Sequence, residues 1–215
     1  MTQPFLLSDE EFLSRYVKIV EKEHPDGSPA GAVPFNLKKV ELKLVRALRR
    51  YKKVVGVKPR QAGWSSTGLG FELKESLTKT NQRWMLMAQD DDTTSMLLRR
   101  LDYFWASMPE KTPEGFERPE KKDDSAHQKS FLGLNSSIAI QTAGAKVPIR
   151  AETLSGVHLT EVSRWTAQAY ANVMGGLEAL PLGAYELIES NPNEYGDHFH
   201  RLYERVKRAN REGDF

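Results

Sequence analysis

The sequence predicts an α/β fold in which a mostly parallel sheet is flanked by helices. Three observations carry this. Short apolar runs of strand length alternate with amphipathic segments of helix length. The run Val54-Val55-Gly56-Val57, just after Lys52 and Lys53, has strand length and strand composition. The chain has 215 residues, enough to bury a sizeable core in one domain or one and a half.

The elements follow in order. Ser8 with Glu11 three residues later is a capping box, so a helix is expected to start there. Phe12, Leu13, Tyr16, Val17 and Val20 share its inner face. It is expected to end near His24-Pro25-Asp26-Gly27, a turn-rich stretch. Residues 28–34 read as a linker. A second amphipathic helix spans 36–50, with Leu37, Val40, Leu44, Val45 and Leu48 inward. The strand at 54–57 precedes a loop at 58–66 and a helix at 66–77. Arg83 to Ala88 is a strand, and 93–105 a helix. Asp90-Asp91-Asp92 reads as the N-terminal cap of that helix rather than as a metal cluster. Residues 109–130 are polar and charged and are expected to form a surface excursion. Strands are expected at 137–141, 157–159 and 185–188, and a charged helix at 198–211.

Composition narrows the chemistry. There are 31 basic and 29 acidic residues, a net charge of +2, so contact with nucleic acid requires a local patch rather than a global field. With no cysteine, disulfides, thiolate metal sites and a cysteine nucleophile are excluded. No apolar run reaches the length of a membrane span, and no signal peptide is recognisable.

The loop Lys58-Pro59-Arg60-Gln61-Ala62-Gly63-Trp64-Ser65-Ser66 is the candidate site. Nucleotide phosphates need clustered backbone N–H donors, a cation and a hydroxyl for Mg²⁺. A strand, a glycine-bearing loop and a helix N-terminus supply them. Gly63 stands at the second glycine of a P-loop and Ser65 at its Mg²⁺-binding hydroxyl. Trp64 replaces the usual Lys, and Lys58 takes the place of the first Gly. The same segment also fits a plain strand–turn–helix connection with Gly63 at positive φ. A partner acid is needed at the end of a neighbouring strand. Gly156-Val157-His158-Leu159-Thr160-Glu161 ends in one, with Thr160 where an Asp is expected.

These two segments, with Glu189-Ser190-Asn191-Pro192-Asn193 after them, resemble the large terminase subunits of tailed bacteriophages, the motors that pump DNA into procapsids. The resemblance spans roughly residues 34–205. It implies a P-loop NTPase core of the ASCE type, with residues 1–33 as an N-terminal helical segment and linker and 34–215 as the ATPase domain. ATP and Mg²⁺ are then the expected substrate and cofactor. Lys58, or Arg60 in its place, is the expected phosphate cation. Gln61 to Ser66 offer backbone N–H groups, and Ser65 ligates Mg²⁺. Glu161 is the expected catalytic carboxylate. Ser190, Asn191 and Asn193 belong to the motif that senses the γ-phosphate. Arg150 falls where relatives carry an arginine finger, although a solvated loop Arg reads the same way. Glu41 lies nearest the position of an adenine-reading Gln, but a carboxylate cannot donate as an amide does.

The resemblance further implies double-stranded DNA, a portal protein, a small terminase subunit and a homo-oligomeric ring as partners. It places the protein in the cytoplasm of the infected bacterial host. The nuclease domain that large terminases carry after the ATPase has no counterpart in these 215 residues. A helicase-like P-loop ATPase and a non-catalytic DNA- or capsid-binding module with a degenerate nucleotide site are the alternatives.

Overall fold

A computed structural model describes residues 7–20, 31–125, 127–144 and 153–212. Its centre is a seven-stranded sheet in the order β3 (Lys53–Val57), β9 (Tyr185–Ser190), β8 (Gly156–Thr160), β4 (Arg83–Ala88), β7 (Ser136–Thr142), β6 (Gln128–Phe131), β5 (Lys121–Asp124). The first five are mutually parallel, and β6 and β5 extend the edge antiparallel. The strand leaving for the 58–66 loop and the strand ending at Glu161 are therefore not neighbours. The strand β9, bearing Ser190, is inserted between them. The partner acid was expected on a neighbouring strand; β9 instead separates the two, and brings three separated segments to one end of the sheet.

The two faces of the sheet bury separate cores. On β4, Trp84, Leu86 and Ala88 join the cluster formed with Phe12, Leu44, Leu69, Phe71 and Leu101, while Met85 and Met87 join Val157, Leu159, Val173 and Phe199. The alternation follows from the two-residue period of a strand. Both faces are covered, on one side by α1 (Asp9–Tyr16), α2 (Lys39–Tyr51), α3 (Trp64–Thr78) and α4 (Asp91–Ser107), and on the other by α5 (Ala167–Leu177) and α6 (His198–Glu212). This is why β4 reads as an unbroken apolar run. The helix α3 is the central one: every residue from Thr67 to Leu77 is buried.

Several boundaries differ from expectation. The Ser8–Glu11 capping box forms, but α1 stops at Tyr16, well before the turn-rich stretch. Val17 is extended, and Lys18–Val20 becomes the strand β1 pairing antiparallel with β2 (Ala32–Pro34), inside the expected linker. The expected excursion at 109–130 contains β5 and β6. β5 forms the sheet edge, and its charged sequence suits a strand that pairs on one side only. The helix α5 was not expected; Thr166 caps it by accepting from the Ala169 N–H. Asp90 does cap α4, accepting from the Thr93 N–H.

A charged cluster fastens α1 to the core. The Arg49 guanidinium spans Asp9 at 2.5 Å and Glu75 at 2.7 Å, and Lys74 reaches Asp9 at 2.9 Å. Arg49 also lies over the Phe71 ring, 4.3 Å from its centroid. Asp9 and Glu75 are buried, so these pairs satisfy charges that would otherwise be stranded. Among the described residues no helix is long and apolar enough to cross a membrane.

Candidate nucleotide site

The site lies where β3, β8 and β9 end. β3 runs into the loop, and its last peptide stays tethered to the sheet because the Lys58 N–H donates to the Ser190 carbonyl at 3.0 Å. Gln61 and Gly63 then take positive φ, 62° and 72°, which turns the chain sharply into α3. Gly63 is the N-cap, in the left-handed region that favours glycine. No side chain caps α3, and no acid stands in its first turn. The opening N–H groups and the positive end of the helix dipole are thus left for an anion. Pro59, Arg60 and Gln61 are exposed, whereas Lys58 is buried.

Trp64, in the position of the usual loop Lys, packs against Gly56 on β3. A methyl group at Gly56 would overlap its ring. The carboxylate of Glu41 lies against Gly63, where a Cβ would likewise overlap it. Its Oε2 accepts from the Lys38 N–H at 2.5 Å, capping α2. The position nearest the expected adenine reader therefore supports the phosphate loop from behind and caps its own helix. Burial holds its carboxyl above the ordinary range.

The displaced cation does reach the site. Lys58 Nζ contacts Ser65 Oγ at 2.8 Å, Glu161 Oε1 at 3.1 Å and Glu189 Oε2 at 2.6 Å. Glu161 ends β8 with φ 54°, an unusual backbone for a side-chain-bearing residue and one that tends to occur where function demands it. Its Oε2 is buried and has no hydrogen-bond partner among the described residues. Lys58 and Ser65, from the two ends of one loop, and Glu161, from a distant segment, are brought together.

Glu189 was not expected in the site, nor were Thr160, His158 and Glu72 as its supports. Thr160 and His158 lie on the same face of β8, two residues apart, and both reach Glu189. Glu189 Oε1 accepts from Thr160 Oγ1 at 2.6 Å and Ser65 Oγ at 2.8 Å, with His158 Nε2 at 3.4 Å. His158 Nδ1 meets Glu72 Oε1 at 2.7 Å. All four are buried. Burial alone would raise Glu189, but the hydrogen bond from His158 and the charge of Lys58 bring it down to about 2. Burial opposes a charge on His158, yet the carboxylates of Glu72 and Glu189 outweigh that and lift it to about 9. Glu72 is raised, by burial above all. A sequence-level signal did exist: an acid inside the apolar strand Leu187-Ile188-Glu189 has to find a buried partner.

Ser190 holds the turn behind Glu161. A 3₁₀ turn, Val162–Arg164, follows Glu161; Ser190 Oγ donates to Ser163 Oγ at 2.8 Å and accepts from the Ser163 N–H at 3.1 Å. Ser163 Oγ donates to the Asn191 carbonyl at 2.9 Å. The Asn191 side-chain oxygen is buried without a hydrogen-bond partner, and Asn193 is exposed. Arg150 lies outside the described residues.

The donor set fits a nucleotide-bound magnesium ion. Among the described residues no group of three or more His, Asp or Glu forms a cage for a metal. Mg²⁺ on a nucleotide needs none, because it takes one or two protein oxygens and completes its shell with phosphates and water. Ser65 Oγ beside the Glu189 and Glu161 carboxylates provides such oxygens next to the uncapped helix end.

Comparison with known structures bears on the fold. The Thermus phage P74-26 large terminase ATPase domain matches with a TM-score of 0.60 at 17% identity, covering 77% of this chain and 68% of that one. The HK97 bacteriophage large terminase matches at 0.67 and 13% identity, over 96% of this chain and 41% of its own. The fold is that of a large-terminase ATPase domain. The UvsW helicase of bacteriophage T4 shares the terminase-like core more distantly, at 0.58 and 10% identity, over 94% of this chain and 66% of its own. No protein-family model matches the sequence, and a search among curated proteins finds no match.

Proposed function

We propose that this chain is the Mg²⁺-dependent ATPase domain of a phage large terminase, hydrolysing ATP to drive double-stranded DNA into a procapsid. The observation that carries the reading is the position of the Lys58 ammonium. It bridges Ser65 of the loop and Glu161, which follows β8 two strands away, at a helix N-terminus left without a side-chain cap among the described residues. Each part has a task. The N–H groups from Gly63 to Ser66 and the α3 dipole hold phosphate oxygens. Lys58, with Arg60 as the exposed second cation, neutralises their charge. Glu161 accepts a hydrogen bond from the attacking water and orients it at the γ-phosphorus. Ser190 fixes the turn that carries Glu161, so a change at Asn191 is passed to the catalytic carboxylate. Ser65 and the phosphates would hold Mg²⁺, which when bound would neutralise charge on the leaving diphosphate.

Residues 34–215 are assigned to the ATPase domain and 1–33 to the N-terminal segment. An arginine finger at Arg150, a ring of subunits, a portal protein, a small terminase subunit and the infected host cytoplasm complete the proposal. A helicase-like ATPase is the second reading, favoured by the match to UvsW over nearly the whole chain. It predicts strand unwinding, which a packaging motor does not require. Steady-state ATP hydrolysis by the wild type and Glu161→Gln, with and without duplex DNA, tests the main reading. Hydrolysis abolished by the substitution is the expected result; turnover that survives it removes Glu161 from the mechanism. A chain that binds no nucleotide would be the non-catalytic module instead.

A further inference from the structure

Thr160 stands one residue before Glu161, where a carboxylate is wanted to organise the metal. A neutral hydroxyl cannot balance a divalent charge. A carboxylate nevertheless occupies that space, delivered from the next strand. The register of β8 against β9 sets Thr160 directly opposite Glu189. Glu189 is wholly inaccessible to solvent. Its Oε1 receives both Thr160 Oγ1 and Ser65 Oγ, at 2.6 and 2.8 Å. Its Oε2 faces the Lys58 ammonium at 2.6 Å. Burying a carboxylate is costly unless its partners are fixed. Here two of those partners, Ser65 and Lys58, are the hydroxyl and the cation of the phosphate loop itself.

We propose that Glu189 is the metal-positioning carboxylate of this site, doing from β9 what an acid at position 160 would do from β8. It fixes the Ser65 hydroxyl and the water shell of a divalent cation carried by the nucleotide, and Thr160 is its hydrogen-bonded support. Without nucleotide, Lys58 neutralises Glu189. When phosphates draw the ammonium away, the metal takes over that neutralisation, so the buried charge is never left alone. The inference rests on the ATPase reading above. The competing account is a purely structural ion pair that holds the loop to β9.

The two accounts separate in metal affinity. The full chain is compared with Glu189→Gln, Glu189→Asp and the double variant Thr160→Asp/Glu189→Gln. A fluorescent ATP analogue reports nucleotide binding in EDTA, and electron paramagnetic resonance of free Mn²⁺ reports metal affinity in the presence of ATP. In Glu189→Gln we expect Mn²⁺ affinity to fall about 10–100-fold, the range found when a supporting partner of a metal ligand is removed. Nucleotide binding in EDTA changes by a smaller factor than Mn²⁺ affinity does. The double variant, with its acid moved one strand across, recovers most of the lost Mn²⁺ affinity.

Unchanged Mn²⁺ affinity in Glu189→Gln overturns the proposal. So does a parallel loss of Mn²⁺ and metal-free nucleotide binding, which would mark a structural role. If Glu189→Gln fails to fold, Glu189→Asp keeps the charge but withdraws it by one methylene: weaker Mn²⁺ binding supports the proposal, and wild-type binding overturns it. Wild-type protein that binds no nucleotide would bring down the ATPase reading, and this inference with it. That outcome is distinct from a wild type that binds metal and nucleotide while its Glu189 variants do the same.

Discussion

The Trp64 ring packs against the backbone of Gly56, on the strand that feeds the phosphate loop. The contact explains how an indole can occupy the loop position that usually carries a Lys. The ring is directed onto the sheet, and the cation enters from Lys58 at the other end of the loop.

Gly56→Ala should therefore push the indole out of place. Overpacking of this kind costs about 1–3 kcal/mol. A lower urea midpoint and weaker ATP binding are both expected, because the displaced ring is part of the loop. A variant as stable as the wild type would show that the ring has room to move aside.

Lys58→Met should weaken ATP binding by roughly 30-fold or more, equivalent to about 2 kcal/mol for truncating one member of a buried charge pair. It also strands the Glu161 and Glu189 carboxylates, so the nucleotide-free protein should melt earlier. Calorimetric titration with ATP is the check. Unchanged affinity would transfer the phosphate-binding role to Arg60.

The buried His158 makes stability depend on pH with a definite sign. Its ordinary pKa of 6.5 is raised to about 9 in the fold. The stabilisation it gives is complete below about pH 6.5 and is lost as pH rises through about 9. Glu189 acts in the opposite direction: lowered from 4.5 to about 2, it stabilises above pH 4.5 and loses that contribution as pH falls. Urea unfolding across pH should thus show greatest stability between these limits and a decline toward pH 9. His158→Gln should be weaker at pH 6 and lack the alkaline decline. A variant retaining that decline would assign it to another group.

Arg49→Ala should destabilise by about 3 kcal/mol, because it leaves Asp9 and Glu75 buried with fewer partners. Chemical denaturation measures it, and a loss under 1 kcal/mol would place the pair among weakly contributing surface bridges. Metal-dependent nucleotide binding should survive, since Arg49 lies outside the Lys58–Glu189 network.

The parts of the fold legible in the sequence are those with local causes. Ser8 and Glu11 announce α1 because both halves of the capping box lie within one turn. Val54 to Val57 announce β3 because β-branched residues cluster there. The end of α1 was not legible, since Val17 and Val20 continue a helical face that also suits the strand they enter. β5 escaped because an edge strand needs no apolar alternation, and Lys121-Lys122-Asp123-Asp124 carries none; β6, Gln128–Phe131, is too short and polar to announce itself.

The site divides in the same way. Lys58, Ser65 and Glu161 could be named because each stands at a fixed offset within its own segment. Glu189 could not, because its place depends on which strand lies beside β8 and in what register. Its apparent deficiency partner, Thr160, was read as a missing acid for the same reason: the substitute lies 29 residues further along the chain.

One consequence follows from the enclosure of α3. A helix with no solvent-facing side from Thr67 to Leu77 has nowhere to slide. It is held by the sheet on one side and by α1, α2 and α4 on the other. The floor beneath the 58–66 loop is therefore an anvil rather than a spring. On the proposed ATPase reading, any displacement that turnover produces would have to travel through the turns above it, from Val162 to Arg164 and from Asn191 into α6. His198 grips the first of these at the Val162 carbonyl, 2.6 Å away.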